Sequence, residues 1–458
     1  MTSQTDPWGP RAEGDASRRG ARFLGVAGLV ALAVVLAVAT TGVVLYQQAD
    51  SAVDRVPVEG LSDPDEGDEG PETKDSDARN FLVVGSDSRE DVEHADKVAT
   101  GGKEGQRSDV IMYVSVTDDR EGISIVSIPR DLVVELDGRE MRINYAFEEG
   151  ASNLVAAVQE QLGLPVHHYA EINFDGFINA VDTIGGVDMC LEDDLVDPDA
   201  GADLEAGCQR LAPAEALAFV RSRQGTRGDY ERIERQQRFL RATVDELTQR
   251  RILANVPQLF DLIEDVSGNV STDEDLSLPE MLGLADNLRD VLGDDIPMAS
   301  VPAYPDSLGP AEVMRIYEPG ARALFEDVRA GRQIADRGTR DERDETSVAI
   351  WSGGRGDGLE IVGSVLHYGG FTDYQAVGPG PSEFDAGSTT TVYAPSGDKA
   401  EAEWVAALLG APIRELPTDV EVPEGADVVV AVGRDAAGSG GTLRGAEGRL
   451  ETRQADEH

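Results

Sequence analysis

The sequence predicts an α/β protein. A three-layer α-β-α domain around a mixed sheet follows one transmembrane helix and precedes a smaller α/β domain. Between residues 80 and 303, strand-like segments alternate with segments of helical period, as layered α/β domains require. An uncharged run of 24 residues precedes them, and a second group of strand and helix patterns follows a charged segment. The length of 458 residues also exceeds what one compact core usually accommodates.

The uncharged run, residues 23–46, is the first element in the chain. As a helix it would span roughly 36 Å, more than the ~30 Å core of a bilayer. Arginines precede the run and aspartates follow it, so the positive-inside rule places residues 1–22 in the cytoplasm, where we expect a disordered N-terminus. A signal peptide cleaved at residues 37–39 is the alternative, but the run is long for one. The sequence therefore predicts a single-pass plasma-membrane protein whose folded domains are extracytoplasmic.

Residues 47–78 are rich in aspartate and glutamate and poor in large apolar side chains, so we expect an unfolded acidic linker there. The main domain should cover residues 79–330. Its first strand is an apolar run that ends at Gly85. Further strands are predicted at 110–116, 123–128, 168–172 and 296–303, and helices at 152–162 and 174–184, with helical patterns continuing through 256–292.

The two cysteines of the chain, Cys190 and Cys208, lie outside the cytoplasm in this topology and are 18 positions apart. A disulfide closing a ring of this size stabilises a fold by roughly 3 kcal/mol on the chain-entropy model. A metal site is the alternative, but no histidines lie close by to complete it. We therefore predict a structural disulfide.

The C-terminal third begins with a charged linker, residues 331–345, followed by the smaller domain at 346–434 and a disordered tail at 435–458. A glycine run within this domain lacks the spacing of a phosphate-binding loop and predicts a plain turn between a strand and a helix. The predicted strands are 348–351, 391–393 and 428–432, and the predicted helices are 359–368 and 399–409.

The net charge of the chain limits the classes of molecule that it can bind. Aspartate and glutamate total 87 against 40 lysines and arginines, which gives a formal net charge of -47. Most of such a surface repels a phosphate backbone, so the composition argues against nucleic acid as a partner.

Residues 220–242 concentrate positive charge within this acidic chain. The planar guanidinium group binds phosphate or carboxylate through two parallel hydrogen bonds, which makes the segment a candidate anion site. Arg232 and Gln236 share one helical face because they are four residues apart. The alternative is an amphipathic helix whose arginines are solvated or paired with neighbouring acids such as Glu231 and Glu234. The arginines are Arg221, Arg223, Arg227, Arg232, Arg235, Arg238 and Arg241.

Acids and arginines also stand at the ends of the first three predicted strands. Ligands of α/β sheets collect at strand ends, so these side chains are candidates for one site. Two carboxylates suit Mg²⁺, which prefers oxygen ligands and accompanies phosphate, while arginines neutralise the remaining charge. Singly, an aspartate after a strand is more typical of a turn or helix cap, and an arginine–aspartate pair at a strand exit is more typical of a surface ion pair. The residues are Asp87 and Arg89, Arg107 and Asp109, and Arg130 and Asp131.

Taken together, these motifs resemble the LytR-CpsA-Psr family over about residues 79–330. The smaller domain is similar to the LytR C-terminal domain that actinobacterial members often carry. The motifs that carry the resemblance are N-F-L-V-V-G-S-D-S-R at 80–89, R-S-D at 107–109, S-I-P-R-D at 127–131, R-I-N at 142–144, V-R-S-R at 220–223, Gly228-Asp229, and R-I-E-R-Q-Q at 232–237.

The resemblance implies a phosphotransferase that moves an anionic glycopolymer from a polyprenyl-pyrophosphate carrier to peptidoglycan and leaves a phosphodiester link. It implies a catalytic set of Asp87, Arg107, Asp109 and Arg130, in which Asp87 and Asp109 hold Mg²⁺ or Mn²⁺. Pyrophosphate contacts fall on Arg107, Arg130, Arg221, Arg223 and Gln236, and supporting roles on Asn144, Asp229 and Arg232. The apolar faces of the helices would enclose the polyprenyl tail.

Two other functions stay open at the level of the sequence. Water could replace the sugar acceptor, which would make the protein a polyprenyl-pyrophosphate phosphohydrolase. Alternatively, the arginines could hold a cell-wall polyanion without turnover, in a binding or regulatory scaffold. The identity of the glycopolymer and the length of the carrier chain do not follow from the residues.

Overall fold

The computed structural model describes residues 54–63, 78–86, 108–117, 122–225, 227–250, 265, 268–277, 296–352, 358–379, 389–395, 399–416 and 420–436. The predicted transmembrane helix at 23–46 and the predicted disordered N-terminus lie outside these residues, as does nearly all of the predicted C-terminal tail. Within the described ranges there is no helix of sufficient length and apolarity to span a membrane.

A seven-stranded mixed sheet forms the centre of the main domain, in the order β1-β12-β7-β2-β3-β4-β13. Strands β2, β3 and β4 pair antiparallel, whereas β7 runs parallel to β2 and β13 parallel to β4. The strands are β1 (Asp54–Val56), β2 (Arg79–Ser86), β3 (Ser108–Val116), β4 (Ile123–Ser127), β7 (His168–Ile172), β12 (Val270–Asp273) and β13 (Met298–Ser300). The predicted mixed sheet is confirmed, as are the predicted strands that correspond to β2, β3, β4 and β7.

Helices cover both faces of this sheet. Successive side chains of a strand point to opposite sides, so each strand contributes to a core on each face. Leu82 and Val84 of β2 pack into a core with α1, α2 and α6 on one face. Phe81 belongs to a second core on the opposite face, where Leu240 and Val244 of α5 pack against it. The helices are α1 (Ile143–Glu148), α2 (Ala151–Ala157), α3 (Phe174–Ile184), α4 (Pro213–Arg221), α5 (Asp229–Gln249) and α6 (Glu318–Arg329).

The predicted helices at 152–162 and 174–184 are both present. The first ends in a π-helical turn, Val158–Leu162, which continues directly from α2. The second begins at Asn173, whose side-chain oxygen accepts a hydrogen bond from the Gly176 N–H at 2.9 Å. Such a bond satisfies one of the amides that every helix N-terminus leaves without an internal partner.

The predicted acidic linker at 47–78 needs a correction for its described residues. Residues 54–56 form strand β1, which pairs in parallel with β12, and Val56, Val58 and Leu61 pack against the main core. The Ser62 N–H donates to the Val166 carbonyl at 2.7 Å. These few apolar side chains and backbone hydrogen bonds fix a segment that its acidic composition indicated as unfolded.

A second correction concerns residues 256–292, for which helical patterns were predicted. The described residues 270–273 form strand β12 instead, antiparallel to β7. The Asp273 carboxylate accepts hydrogen bonds from the Tyr169 and Leu276 N–H groups at 2.8 and 2.9 Å. Burial alone would raise the pKa of Asp273, but hydrogen bonds from His168 and these amides bring it below its ordinary value. Most of the other residues in this range lie outside the described part of the chain.

Small two-stranded antiparallel sheets complete the main domain, and one of them carries the disulfide. Cys190 of β8 stands opposite Cys208 of β11 and is bonded to it, which confirms the predicted pair. The strand pairs are β5 (Val133–Leu136) with β6 (Arg139–Arg142), β8 (Val187–Leu191) with β11 (Gly207–Leu211), β9 (Leu195–Asp197) with β10 (Ala202–Leu204), and β14 (Ala303–Leu308) with β15 (Ala311–Ile316).

The C-terminal region has its own five-stranded sheet in the order β17-β16-β20-β18-β19. The three predicted strands and both predicted helices are present, although the described residues from 54 onward belong to one compact unit. The elements are α7 (Arg340–Glu345), β16 (Val348–Ser352), α8 (Gly358–Tyr368), β17 (Tyr374–Pro379), β18 (Thr391–Tyr393), α9 (Ala400–Leu409), β19 (Ile413–Arg414) and β20 (Val428–Val432).

The predicted charged linker at 331–345 is a folded part of this unit. Ile334 is buried in the main core, and its N–H donates to the Ser124 hydroxyl at 3.0 Å. Thr339 caps α7 through a hydrogen bond from the Glu342 N–H. The charge of the segment is therefore accommodated on an ordered surface that joins the two sheets.

We expect removal of the disulfide by the Cys190→Ala/Cys208→Ala double substitution to lower the free energy of unfolding by about 3 kcal/mol, because the unfolded chain regains the entropy of an open loop. Urea unfolding of the purified chain measures this difference. Dithiothreitol should destabilise the unchanged protein and leave the double variant unaffected. Equal midpoints for the two proteins would show that the disulfide adds no stability.

Candidate functional site

One carboxylate gathers three arginines at one end of the central sheet. Asp229 is the first residue of α5, and its Oδ2 lies 2.8 Å from Arg232 Nη2 and 3.6 Å from Arg130 Nε. Its Oδ1 lies 3.6 Å from Arg223 Nε. We refer to Arg130, Arg223, Asp229 and Arg232 as the Asp229 cluster. It joins three separate segments, namely the turn after β4, the loop between α4 and α5, and the first turn of α5.

The members of the Asp229 cluster differ in their access to solvent. The Arg232 side chain is 2% exposed, so its charge depends on paired groups such as Asp229 one helical turn away. The Arg223 side chain is 47% exposed. The cluster thus runs from a buried ion pair to a guanidinium that an anion in solution can reach.

The motif at 142–144 lies directly beside Arg130. Arg142 Nη1 lies 2.9 Å from Asp131 Oδ1, and Asp131 Oδ2 in turn lies 3.6 Å from Arg130 Nε. The buried Asn144 donates its backbone N–H to the Arg130 carbonyl at 3.1 Å. Burial opposes the charge of Arg142, but hydrogen bonds to Tyr145 and Asp131 raise its pKa above the ordinary value. Arg130 is therefore fixed on both its backbone and its side chain.

Arg221 and Gln236 stand near this cluster in different environments. The Arg221 guanidinium lies over the Phe174 ring at 4.9 Å from the centroid, which is a cation–π contact at the start of α3. Gln236 is buried, and its amide donates to the Val220 carbonyl at 3.2 Å. The predicted contact of Gln236 with pyrophosphate stays a prediction, and the structure places its amide between α5 and the end of α4.

The motifs around Asp87 and Asp109 meet at the same end of the sheet. Ser86, the last residue of β2, is paired with Ser108, the first residue of β3. The Ile128 N–H, just beyond β4, donates to the Ile111 carbonyl at 2.9 Å. The backbone register therefore brings these strand ends together, as expected from the sequence.

The predicted metal ligands belong largely to residues that the structure does not describe. Asp87 and Arg107 lie outside the described ranges, as does the side chain of Asp109, whose backbone is part of β3. Among the described side chains, no group of three histidines, cysteines or acids is placed to hold a metal ion. A pair of carboxylates on adjacent strands is a donor set that suits Mg²⁺, since this ion binds through one or two carboxylates together with substrate phosphate.

The alternative reading of the arginine-rich segment holds for several of its members. Arg227 forms a bidentate pair with Glu234 at 2.6 and 3.0 Å. Arg238 Nη2 donates to the Cys190 carbonyl at 2.7 Å, and Arg235 Nη1 donates to the Ser222 carbonyl at 2.9 Å. These three side chains hold α5 to its neighbours. The segment therefore combines structural arginines with the members of the Asp229 cluster.

Sequence reasoning missed one residue that positions this site. Gln237 is buried, and its amide donates to the Ser127 hydroxyl at 3.0 Å, which ties α5 to the last residue of β4. A signal was available, because Ser127 opens the motif that contains Arg130 and Gln237 ends the motif that contains Arg232.

The chain is similar to bacterial proteins that are named for cell wall biosynthesis. The family model described as the LytR_cpsA_psr family matches residues 41–326. The chain is 36% identical over 256 residues to the probable cell wall biosynthesis protein LcpB of Corynebacterium glutamicum, covering 55% of this chain and 61% of that protein. It spans 60% of LcpA from the same organism at 29% identity, so about three-fifths of each of these two relatives is matched.

Two further similarities extend this comparison. A polyisoprenyl-teichoic acid–peptidoglycan teichoic acid transferase, TagU of Halalkalibacterium halodurans, is 30% identical over 269 residues, covering 57% of this chain and 83% of that protein. The chain is 27% identical in sequence to B. subtilis TagV, for which a crystal structure exists. The alignment covers 55% of this chain and 94% of the TagV chain, with a TM-score of 0.45.

The Asp229→Asn substitution should lower the free energy of unfolding by about 3 kcal/mol, because it removes a charged partner from the buried Arg232. Urea unfolding provides the measurement. The matched control is Asp327→Asn, which removes the partner of the exposed Arg332 and should cost less than about 1 kcal/mol. Similar losses in both variants would mean that Asp229 is no more than a surface ion-pair partner.

Proposed function

Because the chain belongs to the LytR-CpsA-Psr family, we propose that it transfers an anionic glycopolymer from a polyprenyl-pyrophosphate carrier to peptidoglycan and forms a phosphodiester link. The Asp229 cluster is the observation that carries this proposal. Guanidinium groups from three segments converge at the end of the sheet, and the exposed Arg223 provides access for an anionic ligand. Such an arrangement suits the several negative charges of a pyrophosphate. The name of TagU, a transferase of teichoic acid to peptidoglycan, supports the same class of reaction.

In this proposal, Arg130 and Arg223 bind the pyrophosphate oxygens, with Arg107 and Arg221 as further ligands. Asp229 and Arg232 hold the binding arginines in place, and the contact of Asn144 with the Arg130 backbone fixes the turn after β4. Asp87 and Asp109 would hold Mg²⁺, or Mn²⁺ in its place, which when bound neutralises phosphate charge.

The reaction is a substitution at phosphorus. A sugar hydroxyl of peptidoglycan attacks the phosphorus that carries the glycopolymer, and the bond from that phosphorus to the bridging oxygen of the pyrophosphate breaks. Polyprenyl phosphate leaves with the electron pair of that bond, and the hydroxyl proton passes to a base or to solvent. Fixed guanidiniums stabilise the charge that develops on the equatorial oxygens, and positioning of the two substrates supplies much of the acceleration.

We place the polyprenyl tail on apolar side chains of the sheet that pack with α5. Val83, Val110 and Val114 stay partly exposed although they lie on central strands of the sheet. They share a core with Leu240 and Val244 of α5, the helix that begins at Asp229. A carrier with its pyrophosphate at the cluster could therefore lay its hydrocarbon chain between the sheet and α5.

We also propose that residues 23–46 anchor the enzyme in the plasma membrane as a single-pass helix, with the described residues on the extracytoplasmic side. The disulfide between Cys190 and Cys208 supports this side of the membrane, since structural disulfides persist in oxidising compartments. We assign the C-terminal sheet to a domain like that of LytR C-terminal regions.

Mass spectrometry of a reconstituted reaction tests the proposed function. The purified chain is incubated with polyprenyl-pyrophosphate-linked glycans, a peptidoglycan oligomer and Mg²⁺. A phosphodiester-linked glycan together with released polyprenyl phosphate is the expected product. Release of phosphate products without the peptidoglycan acceptor would indicate a phosphohydrolase, and bound but unreacted lipid would indicate a scaffold.

The Arg130→Ala substitution should slow transfer by about 10²- to 10³-fold, because it removes a donor to the charge that develops on the phosphoryl oxygens. The initial rate of product formation gives this ratio. Arg332→Ala, which removes an exposed arginine of a surface pair, is the matched control and should keep the normal rate. Equal rates in the two variants, both folded by circular dichroism, would exclude Arg130 from the reaction.

A further inference from the structure

Helix α5 contacts the C-terminal region on a flank that does not face the Asp229 cluster. This contact suggests a function for the C-terminal region. We propose that Arg343 and Tyr368 are positioning residues, which hold the first turns of α5 so that Asp229 and Arg232 keep their geometry. The inference rests on the proposed function for its effect on transfer, but the positioning itself can be measured separately.

Two groups of side chains leave α5 in different directions. Asp229, Arg232 and Gln236 recur at intervals of three and four residues and so occupy one face. Tyr230 and Glu234 lie on a flank rotated by roughly 150° from that face, at about 100° per residue. The same two turns therefore present one face to the Asp229 cluster and another flank to the C-terminal region.

Glu234 is the centre of the contact on this second flank. Its Oε1 accepts hydrogen bonds from Arg227 Nη1 and from Arg343 Nη2, both at 3.0 Å, and its Oε2 accepts one from Arg227 Nη2 at 2.6 Å. The exposed fractions of the side chains are 2% for Arg227, 12% for Glu234 and 13% for Arg343. Charges so far removed from water depend strongly on their partners.

The charge of Glu234 is maintained by these two arginines. Burial alone would raise the pKa of Glu234, but hydrogen bonds and charge from Arg227 and Arg343 lower it below the ordinary value. Glu234 is therefore ionised at neutral pH, which favours its ion pair with Arg343 of the linker segment.

A second contact flanks this ion cluster. The rings of Tyr230 and Tyr368 lie 5.0 Å apart between centroids with a tilt of 51°. Gly370, in the turn after α8, has a φ of +98°, and a Cβ at this position would lie 2.6 Å from Arg343 Nε. The end of α8 and its turn thus close over the Glu234–Arg343 pair.

The N-terminus of α5 has a particular need for such contacts. Gly228 occupies the N-cap position, and it provides no side-chain hydrogen bond to the first amides of the helix. Helices without a side-chain cap are less stable at that end. The contacts of Tyr230 and Glu234 add restraint to this first turn, which contains Asp229 and Arg232.

The principal test is Arg343→Gln in the full-length protein. We expect kcat for transfer to fall about tenfold, with KM for lipid and acceptor unchanged, because a small displacement of positioned groups slows the chemical step. Arg343→Lys should restore most of the rate by returning the charge. Arg332→Gln, which removes an exposed arginine of the same segment, should leave kcat unaltered.

Amide hydrogen exchange tests positioning without any activity measurement. Exchange of residues 229–236 should become faster in Arg343→Gln, while exchange of the central strands β2 and β3 stays as in the unchanged protein. The Glu234→Gln/Arg343→Gln double variant should have nearly the same amide exchange and kcat as the Glu234→Gln variant, because both residues act through one ion cluster. Tyr368→Leu provides an independent variant if the loss of Arg343 prevents folding.

The outcomes separate this inference from the proposed function. Normal kcat and normal exchange at residues 229–236 in folded Arg343→Gln and Tyr368→Leu would overturn the positioning role. An unchanged protein that carries out no transfer would overturn the proposed function, and the exchange measurement would still decide whether the C-terminal region holds α5. A rise in KM with unaltered kcat would also contradict a role in positioning.

Discussion

The fold around the candidate site depends on the need to neutralise several guanidinium groups at one end of the sheet. Asp229 meets this need with a single carboxylate that contacts Arg130, Arg223 and Arg232. Because these arginines belong to different segments, their shared carboxylate joins the turn after β4 to the start of α5. Like charges this close repel one another, and the shared carboxylate offsets part of this repulsion at the start of α5.

Helix α5 carries this constraint to the rest of the molecule. Leu240 and Val244 pack on the sheet, Arg238 binds the Cys190 carbonyl next to the disulfide, and Glu234 pairs with Arg343 of the C-terminal region. Helix α5 therefore touches the site, the core, the disulfide-bonded strand pair and the C-terminal region. The residues of α5 that make these contacts all lie within about four helical turns of Asp229.

The central elements could be predicted because their signals are local. The apolar runs of β2, β3 and β4 and the helical spacing of α3 lie within short windows of sequence. Strands β1 and β12 escaped prediction because each has only three or four residues with few apolar ones, and their pairing joins positions such as Arg55 and Thr272 that are far apart in the chain. The Glu234–Arg343 pair is likewise invisible in sequence, since opposite charges are abundant and do not reveal their partners.

At the site, the arginines could be located from the sequence. Whether each arginine binds a ligand or stabilises the fold could not be decided from the sequence. Guanidinium groups serve both purposes with the same hydrogen bonds, and helical spacing defines a face without giving its depth. Arg227 belongs to the same arginine-rich segment as Arg223, yet it is buried against Glu234 while Arg223 remains exposed. Gln236 shares a face with Arg232 as predicted, but burial directs its amide to a backbone carbonyl. Among arginines of one segment, solvent access and the identity of the nearest acid therefore distinguish ligand-binding side chains from structural ones better than their number or spacing.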